Sequence, residues 1–172
     1  AKGFISFSSD LASLKTCDIV YISQDVPTDD FGRSDLRGVE RLVNLAAQNI
    51  PIESRIVILC QVPPGFTLRM KKYHSKISYQ VETLVFGQAF SRAVTPERII
   101  VGMDNPEIPL DANFAYLLGQ FSCPILVMNY ESAEFTKISI NAFLAASITT
   151  TNSLNEIAKS IGADWDSVKK AL

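Results

Sequence analysis

Short apolar runs and longer segments with helical periodicity alternate along most of the chain. The runs are rich in β-branched residues, which suits strands that are covered on both faces. The predicted strands are residues 17–23, 55–62, 96–103 and 124–129, and the predicted helices are 36–48, a stretch after residue 64, 111–121, 132–161 and one beginning at 164. Residues 79–87 fit either a strand or a loop. This order predicts an α/β protein with a parallel sheet and right-handed crossovers.

The segment Ser132–Ile161 predicts an unusually long helix. At about 1.5 Å per residue it would run about 45 Å, which exceeds what one small domain needs. We therefore expect it to cross between domains or subunits. Asn129 or Ser132 can cap its start, and Gly162 supplies a left-handed stop. Acidic residues near its N-terminus suit the helix dipole, namely Glu131 and Glu134.

Two features of this helix point to a function. Lys137 and Asn141 stand four residues apart, which puts an ammonium and a carboxamide on one face. Small side chains further along allow another helix to approach closely, namely Ala142, Ala145 and Ala146. We therefore predict a homodimer built on residues 132–161.

The composition predicts a globular protein and excludes several classes of partner. The chain has 172 residues, of which 47% are hydrophobic, enough for a core of ordinary size. The balance of 16 basic and 18 acidic residues gives no basic surface for nucleic acid or for an anionic membrane. No apolar run is long enough to span a bilayer. We expect neither nucleic acid nor a membrane as a partner.

The cysteines predict a reducing compartment, for which the cytoplasm fits best. Cys17, Cys60 and Cys123 are odd in number, far apart and without a close Cys or His partner. We therefore expect no metal site and three structural thiols. The only histidine, His74, lies in what the pattern predicts to be a Lys-rich helix end, where it would be solvated.

Candidate chemistry lies in two loops that follow the strongest predicted strands. No G-x-G-x-x-G turn or P-loop is present in the chain. The loops at residues 26–28 and 61–65 come at the carboxyl ends of strands, where open α/β sheets bind ligands. A simple connecting role is the alternative for either loop.

The motifs in these loops and in the long helix resemble those of the UDP-glucose/GDP-mannose 6-dehydrogenase family. In chain order they are CDIVYISQDVPTDDFGRSDLRGVERLVNLAA, VILCQVPPGFT, PERIIVG and ESAEFTKISINAFLAASITTTNSLNEIAKSIGADWDSV. The resemblance implies a partial Rossmann-like parallel sheet with flanking helices, followed by a long interdomain helix. Residues 1–130 would be the C-terminal half of the NAD-binding domain, and residues 131–172 the start of the central helical dimerisation domain.

The resemblance implies an enzyme that oxidises the C6 alcohol of a UDP-sugar, such as UDP-glucose, to the uronic acid with two NAD+. In the family a cysteine captures the intermediate aldehyde, and water hydrolyses the resulting thioester. Lys137 would stabilise developing oxyanion charge with Asn141 beside it, and both would contact the nucleotide sugar. Val26, Pro27 and Thr28 form the turn that would contact NAD.

The segment after the second strand departs from the family's N-P-E-F-L-x-E-G pattern. Glu82 keeps the first glutamate, which performs acid–base or water-orienting work, whereas Phe86 replaces the second. Thr83 and Leu84 would contact the substrate. Gln61 replaces the threonine of the family's S-T-V-P motif and would lie at the cofactor.

Two other interpretations remain open. The chain also resembles β-hydroxyacid dehydrogenases, which place Lys-x-x-x-Asn on an interdomain helix. It could instead be a non-catalytic homologue, an assembly or binding module, as the changes near Glu82 and Gln61 would allow. The family's Gly-rich turn and its nucleophilic cysteine would lie beyond the ends of this chain, so we expect it not to catalyse the reaction alone.

Overall fold

The computed structural model describes residues 5–82 and 87–172. The chain consists of two compact units, Ala1–Lys137 and Ile138–Leu172. The division between the units falls inside the long helix, and the domain boundary expected between residues 130 and 131 stays a prediction. The assignment of the two parts to an NAD-binding and a dimerisation domain stays a prediction.

The first unit is built on a five-stranded sheet whose strand order follows the chain. Its strands are β1 (Ile19–Ile22), β2 (Arg55–Ile58), β3 (Ile77–Val81), β4 (Ile99–Met103) and β5 (Ile125–Asn129). The first three strands are parallel to one another. β4 runs antiparallel to β3, and β5 runs parallel to β4.

Helices flank this sheet and continue beyond it. They are α1 (Arg37–Asn49), α2 (Phe66–Met70), α3 (Ala89–Val94), α4 (Ala112–Leu118), α5 (Tyr130–Ile161) and α6 (Trp165–Val168), with a 3-10 helix at Leu11–Thr16. The predicted fold class, a partial Rossmann-like sheet with flanking helices and a long following helix, is confirmed. None of the helices in the described part of the chain combines the length and apolarity needed to cross a membrane.

The sheet is mixed, and the expectation of a wholly parallel sheet is wrong at one junction. For residues 79–81 the open choice between strand and loop is resolved in favour of a strand, β3, which begins earlier at Ile77 and ends at Val81. A parallel neighbour would require the chain to cross back over the sheet, usually through a full helix. Only the six-residue α3 is described between β3 and β4. The chain therefore returns directly beside β3 in the opposite direction.

The central strands form the core. Every residue of β2 and of β4 is buried, as their near-continuous apolar sequences predict. Val57 of β2 joins a cluster with β4 and with Phe114 and Leu118 of α4. Because side chains alternate along a strand, Ile56 and Ile58 face the other side of the sheet.

The predicted solvation of His74 is wrong. The helix after the second strand, α2, ends at Met70 rather than continuing through the Lys-rich segment. His74 is buried, and its Nε2 lies 2.7 Å from the carbonyl oxygen of Ser54. The turn after α2 folds this side chain beneath the start of β2. Periodicity alone could not predict such a contact.

The long helix is confirmed, and its ends follow the predicted signals. Of the two candidate caps, Asn129 acts, because its Oδ1 accepts a hydrogen bond from the Ser132 amide at 2.9 Å. At the other end Gly162 has a φ of 75°. The Ala163 amide then donates to the Ala158 carbonyl at 2.9 Å, which is the closing bond of a Schellman motif.

Gly102 of β4 allows the first turns of α5 to approach the sheet closely. A Cβ atom at this position would lie 2.8 Å from the Cβ of Ala133 and 3.1 Å from the Cβ of Tyr79. It would also lie 3.3 Å from the Cα of Tyr130. Cα and Cβ atoms move only when the main chain moves. Any side chain at residue 102 must therefore push α5 away from the sheet.

We predict that Gly102→Ala destabilises the fold by about 1–3 kcal/mol, the usual cost of overpacking a core. The measurement is the free energy of unfolding in urea. Gly38→Ala is the matched control, because the three atoms nearest to its new Cβ all belong to the flexible end of the Gln24 side chain. Alanine also favours a helix over glycine by about 1 kcal/mol, so this control should be neutral or stabilising. Equal destabilisation of both variants would contradict the prediction.

Candidate functional site

The first two turns of α5 run along β3 from its first residue to the residue after its last. At one end the Tyr130 hydroxyl donates to the carbonyl of Ile77 at 2.8 Å. At the other, the Lys137 Nζ donates to the backbone carbonyl of Glu82 at 2.6 Å. The helix therefore carries Lys137 to the edge of the sheet where β1, β2 and β3 end.

A pocket of about 550 Å³ opens at this edge. Its walls are the segments that follow β1 and β2, together with Glu82 and Lys137. The lining residues are Ser23, Gln24, Asp25, Val26, Thr28, Ser34, Leu59, Cys60, Gln61, Glu82 and Lys137. Ligands of open α/β sheets bind outside the carboxyl ends of the strands, which is where this pocket lies.

The structure brings five of the predicted site residues together in one pocket. They are Val26, Thr28, Gln61, Glu82 and Lys137. Pro27 lies in the same turn and lines adjacent surface depressions with Asp35 and Arg37. The roles assigned to these residues stay predictions, since their placement alone does not show what they bind.

The remaining predicted site residues are not among the described residues that line this pocket. Asn141 is exposed and lies in the second unit, Ile138–Leu172. Thr83 and Leu84, the predicted substrate contacts, lie outside the described residues, as does Phe86.

The loop after β1 folds back on itself at the mouth of the pocket. Thr28 and Ser34 form an isolated antiparallel bridge, and their hydroxyl oxygens are 3.4 Å apart. Asp29 accepts hydrogen bonds from the amides of Phe31 and Arg33. These bonds hold the long loop in a defined shape, in which both Thr28 and Ser34 line the pocket.

Lys137 meets the main chain of Glu82 rather than its carboxylate. The bond to the carbonyl fixes the ammonium at the pocket wall and uses one of its three N–H donors. A lysine held in this way retains donors for a second oxygen. Glu82 is half-buried and lines the same pocket as Lys137.

Cys60 also lines the pocket. The Gln24 amide donates to its Sγ at 3.2 Å, and the thiol donates to the carbonyl of Ile22 at 3.4 Å. Burial raises the pKa of this thiol, and the charges of Glu82 and Asp25 raise it further. A thiol with a raised pKa is a poor nucleophile at neutral pH. These contacts favour the predicted structural role for Cys60.

Sequence reasoning missed the position of Glu134, which the helix dipole alone would leave at the surface. Its side chain is fully buried. Its two oxygens accept hydrogen bonds from the amides of Gly65 and, at 2.7 Å, of Thr67. Burial raises the pKa of Glu134, and the amide bonds oppose that rise. One signal in the sequence could have indicated this burial. Glu134 follows Ala133 and lies four residues after Tyr130, and both of those residues are on the buried face of the helix.

The chemistry of the pocket is that of polar and charged organic groups. Within the described ranges, no group of three His, Cys, Asp or Glu side chains is arranged to hold a metal ion. The lining residues carry one ammonium, three hydroxyls, two carboxamides and two carboxylates. Such groups can orient a polar ligand and stabilise negative charge that develops on one of its oxygens.

Comparison with known sequences gives a consistent set of relatives. Residues 131–172 match the model of the UDP-glucose/GDP-mannose dehydrogenase family, central domain. A UDP-glucose 6-dehydrogenase of Rickettsia typhi is 30% identical, over 87% of this chain and 36% of that protein. The TuaD UDP-glucose 6-dehydrogenase of Bacillus subtilis is 28% identical, over 95% of this chain and 37% of its own length.

Solved structures agree with this set. A UDP-glucose dehydrogenase from Pyrobaculum islandicum superimposes with a TM-score of 0.79 at 26% identity, over 96% of this chain and 41% of that one. A GDP-mannose dehydrogenase from Pseudomonas aeruginosa gives 0.77 at 21% identity, over 95% and 41%, and so shows the shared fold. The resemblance predicted from the sequence is confirmed. The chain spans roughly two fifths of these relatives.

Proposed function

This chain is a relative of the UDP-glucose/GDP-mannose dehydrogenase family, and we propose that it forms part of a nucleotide-sugar 6-dehydrogenase that uses NAD. The substrate we propose is a UDP-sugar such as UDP-glucose, oxidised at its C6 alcohol to the uronic acid with two NAD+. The observation that carries the proposal is the position of Lys137. Its ammonium lies in the wall of the same pocket as Val26, Thr28 and Gln61.

The pocket fits one end of a dinucleotide in size and in chemistry. Its volume of about 550 Å³ lies within the range of about 300–1,000 Å³ that is usual for small-molecule sites. The Thr28 hydroxyl and the Gln61 carboxamide can hydrogen-bond to ribose and amide groups, and Val26 and Pro27 supply apolar contact in the same turn. NAD, when bound, supplies the hydride acceptor.

The residues of this chain would stabilise charge and move protons. Lys137 would donate a hydrogen bond to the substrate oxygen as negative charge develops on it, which is where such a donor lowers the barrier most. Asn141 would add an amide donor from the next turn of α5. Glu82 would orient water or accept a proton. Thr83 and Leu84 would contact the nucleotide sugar.

A non-catalytic homologue is the second candidate, and the replacement at Gln61 favours it. The family's threonine at that position helps to position water, whereas this chain has the longer carboxamide side chain of Gln61 there. In this alternative the pocket would bind without turnover. Measurement of turnover separates the two functions.

We further propose that the protein forms a homodimer through residues 132–161. The described part of the second unit carries large apolar side chains in solvent, including Phe143 at 74% and Ile148 at 62% exposure. Ala142, Ala145 and Ala146 are exposed beside them. Exposed apolar surface on one helix is typical of an interface, and small residues allow close approach. A second copy of this helix is the partner we propose.

We predict that Lys137→Ala in the full-length protein lowers kcat for NADH formation about 100-fold or more. Removal of one preorganised donor to a developing oxyanion costs about 10²–10³ in rate. The measurement is absorbance at 340 nm with NAD+ and a panel of nucleotide sugars. Lys159→Ala is the control, since Lys159 is an exposed lysine of the same helix.

Two results would count against this prediction. Activity of Lys137→Ala within a factor of two of the wild type would remove Lys137 from the chemistry. Absence of NADH formation by the wild type with every nucleotide sugar would favour the non-catalytic homologue.

We predict that light scattering at micromolar concentration gives twice the single-chain mass. Ala146→Glu should reduce this to one chain, because it places a long charged side chain where the helices approach. Thr151→Glu is the control, since Thr151 is exposed and its side chain is rotated around the helix by about 120° or more from each of the three alanines. A single-chain mass for the wild type would contradict the proposed dimer.

A further inference from the structure

Glu134 is a buried ionisable group in the first turns of α5, next to Ala133, which packs against Gly102 of β4. It has no exposed surface, in contrast to Glu131 one turn earlier, which is half-buried. Burial of a carboxylate is costly unless hydrogen-bond donors compensate it. A carboxylate can stabilise the N-terminus of a helix from an exposed position. The burial of Glu134 must therefore be explained by the groups that it contacts.

The compensating donors belong to the segment that follows β2. The Gly65 and Thr67 amides point at the carboxylate, one oxygen each. Gly65 is the N-cap of α2 with a φ of 87°, and it has no side chain with which to cap. Glu134 therefore caps α2 from another element of the fold. Through these two bonds Glu134 holds the C-terminal end of the segment Gln61–Thr67, and Gln61 lies at the other end.

Lys137 lies three residues further along the same helix. Residues three apart share a helix face, and the helical turn between them is rigid. Glu134 fixes the Gln61–Thr67 segment, whereas Lys137 bonds to the Glu82 carbonyl at the end of β3. One turn of α5 thus sets the spacing between two walls of the pocket.

We propose that Glu134 is a positioning residue, which holds the Gln61–Thr67 segment in register with Lys137 so that the NAD contacts and the oxyanion donor face one pocket. The pinning of the segment rests on the geometry alone. The effect on NAD rests on the function proposed above. Glu134 does not touch the pocket in this assignment and acts through Gly65 and Thr67.

Glu134→Gln in the full-length protein is the test variant. It keeps the shape of the side chain but turns one acceptor oxygen into an NH₂ donor that opposes an amide N–H. Glu131→Gln is the matched control, the same substitution one turn away. The first measurement is hydrogen exchange. The amides of Gly65 and Thr67 should exchange at least tenfold faster in Glu134→Gln, while the amides of β2 and β4 keep their wild-type rates.

The second measurement separates positioning from general stability. Glu134→Gln should raise both the Kd and the KM for NAD+ about tenfold, as expected when a charge-assisted hydrogen bond is lost. The KM for the nucleotide sugar should stay within a factor of two. A purely structural role would lower the active fraction, and so the apparent kcat, with both KM values unchanged. That result would overturn the positioning role.

Two further outcomes have distinct meanings. Unchanged exchange at Gly65 and Thr67 in Glu134→Gln would overturn the pinning itself, whatever the protein binds. If wild-type protein does not bind NAD+, the proposed function fails and the cofactor part of this inference fails with it. The exchange rates of the two amides would still decide whether Glu134 pins the segment.

Discussion

The close approach of α5 to the sheet over Gly102 is the contact on which the rest of the site depends. A hydrogen atom in place of a side chain lets Ala133 and Tyr130 lie directly against β4 and β3. This contact sets the height and rotation of the helix. The position of the helix in turn determines where its side chains lie, including those of Glu134 and Lys137. The geometry of the pocket wall thus depends on the absence of a side chain at Gly102.

Two charged side chains of α5, Glu134 and Lys137, bond to main-chain groups of opposite polarity. The buried carboxylate of Glu134 accepts from amides at the start of α2, and the ammonium of Lys137 donates to a carbonyl at the end of β3. Helix starts expose N–H groups and strand ends expose carbonyls. One helical turn satisfies both, so that the helix and the loops at the sheet edge stabilise each other without a direct ion pair between them.

The sequence predicted most elements because their signals are local. Apolar runs located four of the five described strands, with β3 left open as strand or loop, and Asn129 and Gly162 marked the ends of the long helix. The loops of the site followed from their position after strands, and the family motif in the helix singled out Lys137. By contrast, three features depend on contacts between distant segments. The reversal at β4, the burial of His74 and the capping of α2 by Glu134 involve partners that no periodicity or spacing reveals.

The pocket unites residues from four separate stretches of the chain, and we propose that it binds the cofactor. The most direct test is a crystal structure of the full-length protein with NAD+. We predict that the nicotinamide end of the cofactor lies against Thr28 and Gln61, with the Lys137 Nζ facing the same cavity. NAD+ bound away from these residues, or Lys137 directed out of the cavity, would contradict the account.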